Sequence, residues 1–502
     1  MRRELVFVLG LFLLCSTLCV RFDQVEVQAT DGYSVHNIDT GLNYTSIQEA
    51  INAPETLTGH TIFVESKTYY EHLVVNKSLS LIGEDRGTTI IDGNGTGVVV
   101  DPLLGMTAIV HVVASNVNIS SLTVRNGGTI GILLNQTAHC RLDDIDSLKS
   151  FSCVALMNSH DCRVTNSHFH NSTKDGIMLF NSTENEIINN IISENPYCGI
   201  GTGGPEGSSR NLIANNTLSH NVYAGSNMRG FGLDLVGSDN RIFYNNMSSN
   251  NNGIVLDMAH RNQLRGNIIL NNTNYGIWVF SGFNNTLFGN TIQQSGEVGL
   301  LWDGTGNTIH HNNFISNNYQ VGYIWYVSVW DDGIEGNYWS DYTGKDSNND
   351  GIGDTPYMIY EFGRDNHPLM GKFSTFNAIQ NFYVNVISNS TIESFHYFES
   401  SNAIKMLVSN MTMNQLFGFV RIRIPHALMF EPYNVTIDGI NPTFWNYTLY
   451  DDGENRWIYF SYEHSTLEII IVPEFSQFLI MSPFMIAALL IAMIYKKKKV
   501  VA

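Results

Sequence analysis

A glycine followed by alternating apolar residues returns along this chain about every 23 residues. Such segments begin at Gly253, Gly276 and Gly299, at intervals of 23 residues, and Gly322 follows after the same interval. A fixed period of this length marks a repeat architecture. The apolar residues alternate rather than follow helical spacing, so each repeat supplies strands. Strands stacked one repeat apart predict a parallel β-helix, a solenoid in which each coil contacts only its neighbours.

A second pattern, two asparagines flanking an Ile or Leu, runs in phase with the glycines. Asparagine tolerates left-handed backbone conformations and bonds to its own turn. Asparagine amides stacked in successive coils also hydrogen-bond to one another as a ladder. We therefore interpret these residues as architecture and assign no chemistry to them. The pattern occurs at Asn185/Ile187/Asn190, Asn211/Ile213/Asn216, Asn240/Ile242/Asn245, Asn262/Leu264/Asn267, Asn285/Leu287/Asn290 and Asn307/Ile309/Asn312.

The composition indicates an extracellular protein. Charged residues make up 15% of the 502 residues, against roughly 25% in an average protein. The net charge of −19 argues against a nucleic-acid partner, because phosphates would be repelled. About fifteen Asn-x-Ser/Thr sequons are present, which favours a secreted glycoprotein.

Both ends carry patterns typical of targeting. Residues 1–29 combine Arg2 and Arg3 with a short apolar run and a small-residue cleavage site, which predicts a secretory signal peptide. Residues 473–502 contain an apolar run followed by four lysines, which predicts a membrane span with a cytoplasmic tail and an extracellular body. Pro473-Glu474-Phe475 resembles the sorting signals of archaeal surface proteins, which implies cleavage there by a sortase-like membrane enzyme.

Two cysteines occupy equivalent places in successive coils. Cys140 and Cys162 are 22 residues apart. Stacked strands lie ~4.8 Å apart, within the roughly 4.4–6.8 Å that a disulfide spans, so we expect an inter-coil disulfide outside the cell. Cys153 and Cys198 are out of phase and read as buried thiols. A soft-metal site is the alternative, although the spacing matches no closed ligand pattern. The nearby histidines are His139, His160, His168 and His170.

Residues 30–370 form the predicted solenoid. Residues 44–51 predict a short amphipathic helix with Thr45 or Ser46 as its cap, placed where a solenoid needs its open apolar end covered. One coil is long, with 33 residues from Gly199 to Gly232. Its surplus, within 201–210 and 220–230, predicts projecting loops, which tend to mark the binding face of a solenoid.

Residues 373–472 lack the repeat and predict a small β-sandwich that serves as a stalk toward the membrane. Short apolar segments separated by turn residues are typical of this architecture. The expected strands are 382–387, 405–408, 419–424, 433–437, 445–450, 457–462 and 467–472.

The segments 44–51, 59–64, 68–71 and 76–83 together resemble the start of the right-handed parallel β-helix family. That family includes pectinesterases, pectate lyases and the NosD and carbohydrate-binding or sugar-hydrolase β-helices. The asparagine coils are similar to the NosD-type branch, as are residues 336–342, 346–357 and 365–369. The resemblance covers roughly residues 40–370 and implies the fold; this fold hosts many functions. Lys67 stands where the family usually has glycine, and the pectinesterase-like Asp-Phe-Ile-Phe-Gly and polygalacturonase-like Gly-His-Gly motifs are absent.

The segment 346–354 predicts a structural calcium site. Alternating oxygen ligands around a glycine turn suit a hard cation that needs six to eight oxygens. The run resembles the first half of an EF-hand loop, but Tyr357 stands where the usual glutamate would be. The alternative is an acidic turn without an ion. The expected ligands are Asp346, Asn348, Asp350, the carbonyl of Ile352, and Asp354.

The repeat register also predicts an outward face with aromatic and acidic residues. If the first and third residues after each glycine point inward, the second and fourth point outward. This places Asp234 and Trp278 in one column, and Asp257, Phe280 and Asp303 in the next. Exposed aromatic surface flanked by carboxylates suits a sugar chain, and the alternative is a protein–protein surface or a face covered by the long loops.

A catalytic role for Asp257 and Asp303 is an open alternative. Two coils put their Cα atoms ~9.6 Å apart, near the upper end of the roughly 6.5–9.5 Å carboxyl separation of inverting glycosidases. A lyase would need a base such as Arg229 or Arg261. The sequence thus predicts a membrane-anchored surface β-helix that binds or presents carbohydrate. The rivals are a polysaccharide lyase or glycoside hydrolase, and a NosD-like copper-handling protein.

Overall fold

A computed structural model describes residues 32–473, except for 206, 226–228, 323–327, 360–362, 381, 430, 443 and 464. The predicted signal peptide, membrane span and sorting tail, apart from Pro473, lie outside the described residues. Within the described part, no helix is long and apolar enough to cross a membrane.

The predicted β-helix is confirmed as a right-handed parallel solenoid of about 12 coils. Each regular coil contributes one longer strand and two short ones, which stack on their counterparts to form three faces. The first face contains Leu73–Val75, Val98–Asp101, Met106–Val112, Ile130–Asn135, Ser152–Met157, Asp175–Phe180, Cys198–Gly203, Phe231–Leu235, Asn252–Asp257, Tyr275–Phe280, Val298–Asp303 and Tyr319–Val321.

The short strands build the other two faces. Two long strands, Asn118–Gly127 and Arg141–Leu148, bend through both of them. The second face contains Thr61–Val64, Ser80–Gly83, Arg163–Thr165, Glu186–Ile188, Leu212–Ala214, Arg241–Phe243, Gln263–Arg265, Thr286–Phe288 and Thr308–His310. The third face contains Thr68–Tyr69, Ile90–Thr96, His168–His170, Ile191–Ser193, Thr217–Ser219, Asn246–Ser248, Ile268–Leu270, Thr291–Gln293, Asn313–Ile315 and Tyr338–Trp339.

The periodic glycine is the second residue of the first-face strand, where the chain packs too closely for a side chain. A Cβ placed on Gly253 would lie 2.4 Å from the carbonyl oxygen of Gly276 and 2.5 Å from Cγ2 of Ile269. The alternation that follows the glycine is as predicted, since Ile254 and Leu256 are fully buried in the solenoid core. The same close approach occurs at Gly276 and Gly299. The requirement is not met by glycine in every coil, because Cys153 and Gln320 occupy the equivalent place in two of them, and the predicted Gly322 lies two residues beyond it.

The predicted asparagine ladders are present at two corners of the solenoid. The Nδ2 of Asn240 donates to Oδ1 of Asn262 at 3.1 Å, and Asn245 bonds to Asn267 at the same distance. A third ladder, missed in the sequence, runs at the next corner. Its members are Asn195, Asn221, Asn250 and Asn272.

A short helix covers the N-terminal end of the solenoid, as predicted. It spans Ile47–Asn52, and Ser46 is its N-cap, with Oγ accepting from the backbone N–H of Glu49 at 3.2 Å. Ile47 and Ile51 are fully buried on the open end of the core. Beside the helix, Val35–Asn37 pairs antiparallel with Leu42–Tyr44 and with the first strand of the second face.

Two antiparallel sheets follow the solenoid and enclose one core, so the second unit is a β-sandwich. The expected strands are present, and two were missed, Lys372–Ile379 and Ser390–Phe398, in which polar and half-buried residues weaken the apolar signal. A two-stranded hairpin of Tyr357–Ile359 and Gly363–Asp365 precedes it. The five-stranded sheet contains Lys372–Ile379, Phe382–Ser388, Phe417–Pro425, Asn455–Glu463 and Phe444–Asp451. The four-stranded sheet contains Ser390–Phe398, Ala403–Asn410, Leu467–Pro473 and Tyr433–Ile437.

A buried ionic network joins the sandwich to the last coils of the solenoid. Glu335 accepts from Nε of Arg421 at 2.5 Å and from Nε1 of Trp457 at 2.9 Å. Its other oxygen lies 2.8 Å from Nε2 of His311. These bonds hold the pKa of Glu335 at about 2, despite the burial that opposes ionisation. The sandwich is therefore packed against the solenoid rather than merely tethered to it.

The expected disulfide is not formed, although the register behind it is correct. Arg141 pairs with Arg163, so Cys140 and Cys162 lie in equivalent places of adjacent coils. Both are free, buried thiols, and Cys162 bonds to the carbonyl of His160 at 3.3 Å. Cys153 and Cys198 are also free and buried, as predicted. Local carbonyl acceptors thus satisfy the thiols that we expected to be joined.

Candidate functional site

The first face of the solenoid carries a groove beside the long coil. Its volume is about 260 Å³. Adjacent coils supply its walls, because the register pairs Asp234 with Val255 and Val255 with Trp278. The lining residues are Tyr197, Phe231, Asp234, Val255, Asp257, Trp278 and Phe280.

The predicted outward columns are confirmed, but they contribute unequally to the groove. Asp257 pairs with Phe280, and Phe280 pairs with Asp303, so these three residues stand in one column. Asp303 is outside the groove lining. The carboxyl beside Asp257 is instead Asp234, one coil back in the neighbouring column. The structure therefore brings together Asp234 and Asp257, whereas the sequence paired Asp257 with Asp303.

The two groove carboxyls resist ionisation. Burial raises the pKa of Asp234 to about 7, and the negative charges of Asp257 and Asp175 add to this effect. Burial also raises the pKa of Asp257. Among the described residues, Oδ1 of Asp257 is buried without a hydrogen-bond partner. Near neutral pH, Asp234 can therefore donate a hydrogen bond as an acid or accept one as an anion, while Asp257 offers an unused acceptor.

Aromatic rings form the rest of the groove. Trp278 lies 6.4 Å from Phe280, with their rings inclined at 71°. Phe280 is 47% exposed, so its ring face is available to a ligand. On the other side, Tyr197 meets Phe231 edge-on at 6.3 Å. Tyr197 and Phe231 were not predicted as groove residues, because they precede the glycines in the repeat rather than follow them.

The long coil places a cation at the rim. The guanidinium of Arg229 lies 4.9 Å from the ring centre of Tyr197 and 5.1 Å from that of Tyr223. Lys174 approaches Tyr197 from the preceding coil, with Nζ 5.0 Å from the ring centre. This lysine also pairs with Asp175 at 3.2 Å. The long coil therefore places Arg229 and Tyr223 beside the groove, next to its lining residue Tyr197.

Cysteine chemistry is not favoured at the groove. Cys198 packs with Phe231 and Val255 beneath the groove wall. Burial raises the pKa of its thiol well above the usual value, and the charges of Asp234 and Asp175 act in the same direction. The thiol therefore stays protonated and is a packing group rather than a nucleophile.

The acidic loop predicted to bind calcium folds as a chain of turns against the sandwich. Asp346 accepts from the backbone N–H groups of Asp350 and Gly351 at 3.0 and 2.8 Å. Asp354 accepts from the backbone N–H of Ser347 at 2.9 Å, and Asn348 donates to Asp350 at 3.1 Å. The side chain of Ile352 is buried. These oxygens are engaged in hydrogen bonds within the loop, and calcium binding there stays a prediction.

Two family models match parts of the chain. Residues 107–231 match the model described as "Right handed beta helix region". Residues 206–344, which include most of the groove, match that of "Periplasmic copper-binding protein (NosD)". A curated relative, a "Cell surface glycoprotein" of Methanothermus fervidus, is 32% identical over 108 residues, or 22% of this chain. The match spans only 16% of that relative's length.

Solved structures with similar folds have low identity to the chain. One is the A-module of the Azotobacter vinelandii mannuronan C-5 epimerase AlgE4, with 16% identity, a TM-score of 0.45, and coverage of 61% of this chain and 91% of that one. Another is the periplasmic alginate epimerase AlgG, with 15% identity, a TM-score of 0.42, and coverage of 57% and 81%. A third is the Dettilon tailspike protein, with 14% identity, a TM-score of 0.41, and coverage of 82% and 86%.

These likenesses carry no assignment of activity to this chain. The stacked coils, the continuous core and the two matching family models agree on the architecture. The chain is therefore a right-handed parallel β-helix protein whose coils are similar to those of the NosD and right-handed β-helix family models.

Proposed function

We propose that this protein binds a carbohydrate chain in the groove of its first face, on the outside of the cell. The observation that carries the proposal is the meeting of Trp278 and Phe280 with the carboxyls of Asp234 and Asp257 in one open groove. Sugar rings present apolar C–H faces, which pack on aromatic rings, and hydroxyls, which pair with carboxyl groups. The unpartnered oxygen of Asp257 is a ready acceptor for one such hydroxyl.

The groove runs across several coils, which favours a chain over a single sugar. Its aromatic and acidic residues come from strands Phe231–Leu235, Asn252–Asp257 and Tyr275–Phe280, which are stacked along the solenoid axis. At ~4.8 Å per strand, three strands span about the length of two sugar units. The surface location is supported by the sequons and by the cell-surface glycoprotein relative. Membrane anchoring by residues 473–502 remains part of the proposal.

A glycoside hydrolase is the second candidate, and Asp234 favours it. A general acid needs a pKa near the working pH, and that of Asp234 is raised to about 7 beside a second carboxyl. Paired carboxyls with different environments are the arrangement that glycosidases use. In this alternative Asp234 donates the proton, and Asp257 acts as base or nucleophile. A lyase through Arg229 is less favoured, because that guanidinium is stacked between two tyrosines.

A glycan array on the purified protein tests the binding proposal. An identified glycan should bind the wild type, and Phe280→Ala should weaken binding by on the order of 1–3 kcal/mol, the scale of stacking lost at comparable ring-on-aromatic sites. Phe283→Ala is the matched control, because this residue is exposed in the same coil but lies outside the groove lining. The absence of any glycan ligand would remove the proposal.

Product analysis separates binding from hydrolysis. If the groove only binds, the glycan should remain intact, and Asp234→Asn should retain much of the affinity because an amide still donates and accepts hydrogen bonds. If the groove hydrolyses the glycan, reducing ends should accumulate with the wild type. Asp234→Asn should then stop turnover, because an amide cannot exchange a proton in this way.

We further propose a structural calcium ion in the loop 346–354. The loop is pressed against the sandwich, since Nη1 of Arg421 donates to the carbonyl of Asp350 at 2.9 Å. An ion there would stabilise the junction by ~2.7 kcal/mol at a hundredfold excess over Kd. Chelation should lower Tm in the wild type and have no effect in Asp350→Ala. Equal melting curves of the wild type with calcium and with chelator would exclude the site.

A further inference from the structure

A cluster of two histidines and an aspartate lies on the third face, away from the groove. One ligand atom from each of Asp146, His168 and His170 lies within 4.8 Å of the other two. The cluster is outside residues 206–344, which match the NosD model. It does not depend on the proposed glycan function.

The fold fixes the positions of all three side chains. His168 and His170 flank Phe169, which is fully buried, so the alternation of the strand directs both imidazoles outward. Asp146 occupies the preceding coil in direct register with His168. A backbone arrangement of this kind holds the three groups together without relying on a flexible loop.

The distances suit ligands of a single ion. Nε2 of His170 lies 3.0 Å from Oδ1 of Asp146, and Nδ1 of His168 lies 4.0 Å from the same oxygen. The two imidazole rings are stacked, with centres 4.0 Å apart and planes inclined at 15°. Two ligands of a tetrahedral zinc ion, each at ~2.1 Å, are about 3.4 Å apart. Binding of one ion would require the stacked imidazoles to rotate until Nδ1 of His168 and Nε2 of His170 converge on it.

The charge of a cation near the cluster is already balanced. Arg86 forms an ion pair with Asp144 at 3.0 Å.

One neighbouring amide can orient His170. Nδ2 of Asn171 lies 2.8 Å from Nδ1 of His170. Turning the amide would present Oδ1 to an N–H at Nδ1, and would leave the lone pair of Nε2 facing Asp146 and the ion. Metal-binding histidines commonly donate their second N–H to an oxygen in this way.

Two other clusters of histidine and acidic residues lie among the described residues, and side chains in both are bonded to further partners. His311 is buried and bonds through Nε2 to Glu335, and its Nδ1 lies 2.6 Å from Nδ1 of His310. In the sandwich, His426 faces Asp451, which also accepts from Arg456 at 2.9 Å. In the third-face cluster, by contrast, the carboxyl of Asp146 faces the two imidazoles and makes no ion pair with an arginine or lysine among the described residues.

We propose that Asp146, His168 and His170 bind one divalent transition-metal ion of the zinc class and thereby clamp two adjacent coils together. Imidazole nitrogens with one carboxylate are a ligand set suited to such ions rather than to calcium. Three protein ligands leave a further position for water. Because the ligands come from strands Arg141–Leu148 and His168–His170, the ion bridges successive coils.

Calorimetric titration of the untagged, chelator-treated chain with ZnCl2 tests the site. The wild type should bind one zinc ion at this site, and CaCl2 should not compete for it. His168→Gln and His170→Gln should each weaken zinc binding by about 100-fold, the upper end of the loss found even for outer partners of metal ligands. His160→Gln is the control, because this exposed histidine pairs with Asp161 outside the cluster. Zinc should raise the Tm of the wild type but not of the two variants.

Several results would overturn the site. They are the absence of zinc binding, binding that persists in both variants, and binding lost in His310→Gln instead. If a variant does not fold, NMR of the wild-type imidazoles provides the answer. Zinc should shift the ring signals of His168 and His170 and leave that of His160 unchanged, and the reverse pattern would exclude the proposal.

Discussion

The asparagine ladders and the groove are both built from side chains stacked one coil above another, and they differ in how fully those side chains are bonded. Asn245 donates to the carbonyl of Ile213 at 2.8 Å and to Asn267 at 3.1 Å, and its oxygen accepts from Asn216. In the groove, Oδ1 of Asp257 is buried without a partner among the described residues. When the same polar residue is stacked in every coil, its side chains hydrogen-bond to one another. When the residue changes from coil to coil, some polar side-chain atoms lack a partner within the protein and can bind a ligand.

The largest expected effect comes from breaking a ladder. Asn245→Ala removes a buried amide and leaves the carbonyl of Ile213 and the N–H of Asn216 without their partner. Each unsatisfied buried group costs about 1–3 kcal/mol, so we expect a loss of about 2–4 kcal/mol in the free energy of unfolding. Urea denaturation measures this, with Asn318→Ala, at an exposed position, as the control. A loss equal to that of the control would show that the ladder does not stabilise the fold.

The next effect tests the steric origin of the glycine period. Gly253→Ala forces a methyl group against the carbonyl of Gly276, and overpacking of this kind costs about 1–3 kcal/mol. Gly203→Ala is the matched control, because a Cβ there has no atom within 4 Å. Its effect should stay within about 0.5 kcal/mol. Equal thermal stability of the two variants would contradict the steric explanation.

A smaller effect concerns the pH dependence of stability. The pKa of Asp234 is about 7 in the folded protein and ~3.9 in an unfolded chain. The folded state therefore holds the extra proton between these values, so this group's contribution to stability falls as pH rises from 4 to 7. Between pH 5 and pH 8, the wild type should lose on the order of 2 kcal/mol more than Asp234→Asn. Urea melts at both pH values check this.

Asp239 provides a comparison of opposite sign. Its hydrogen bond with Arg261 lowers the pKa of this exposed carboxyl. Its contribution is present above the unfolded pKa and is lost as pH falls, so Asp239→Asn should reduce stability slightly at pH 8. If the free energy of unfolding changed with pH in the same way in Asp234→Asn and Asp239→Asn, burial in the groove would not be the cause of the raised pKa of Asp234.

The sequence predicted the solenoid well because its constraints repeat. The close packing at Gly253 and the ladder at Asn245 recur in most coils, so each coil supports the pattern of the others. The sandwich lacks such repetition, and its strand Ser390–Phe398, with most side chains partly exposed, was missed. The helix at Ile47–Asn52 was predicted because the segment has an N-cap residue and an apolar face, and a solenoid requires an element that covers the open end of its core.

The groove was only partly predictable, because its residues differ from coil to coil, and the same variation makes it a candidate site. Register placed Trp278, Phe280 and Asp257 correctly, since it depends only on alternation. The residues around Asp234 and the contact between Tyr197 and Arg229 depend on the conformation of the long coil. The repeat pattern does not predict that conformation. The sequence indicated His168 and His170 as metal-ligand candidates but not Asp146, which precedes them by 22 and 24 residues and meets them only when one coil stacks on the next.

Paired measurements of glycan affinity and unfolding free energy on Phe280→Ala and Asn245→Ala test the central claim most directly. Using a glycan that the array identifies, Phe280→Ala should lose affinity while its stability stays close to that of the wild type. Asn245→Ala should lose stability while the folded fraction keeps its Kd. Two results would contradict this account: an unchanged glycan affinity in Phe280→Ala, or a loss of affinity in Asn245→Ala as large as that in Phe280→Ala. Either would mean that the hydrogen-bonded asparagine ladders and the proposed ligand-binding face do not have separate roles.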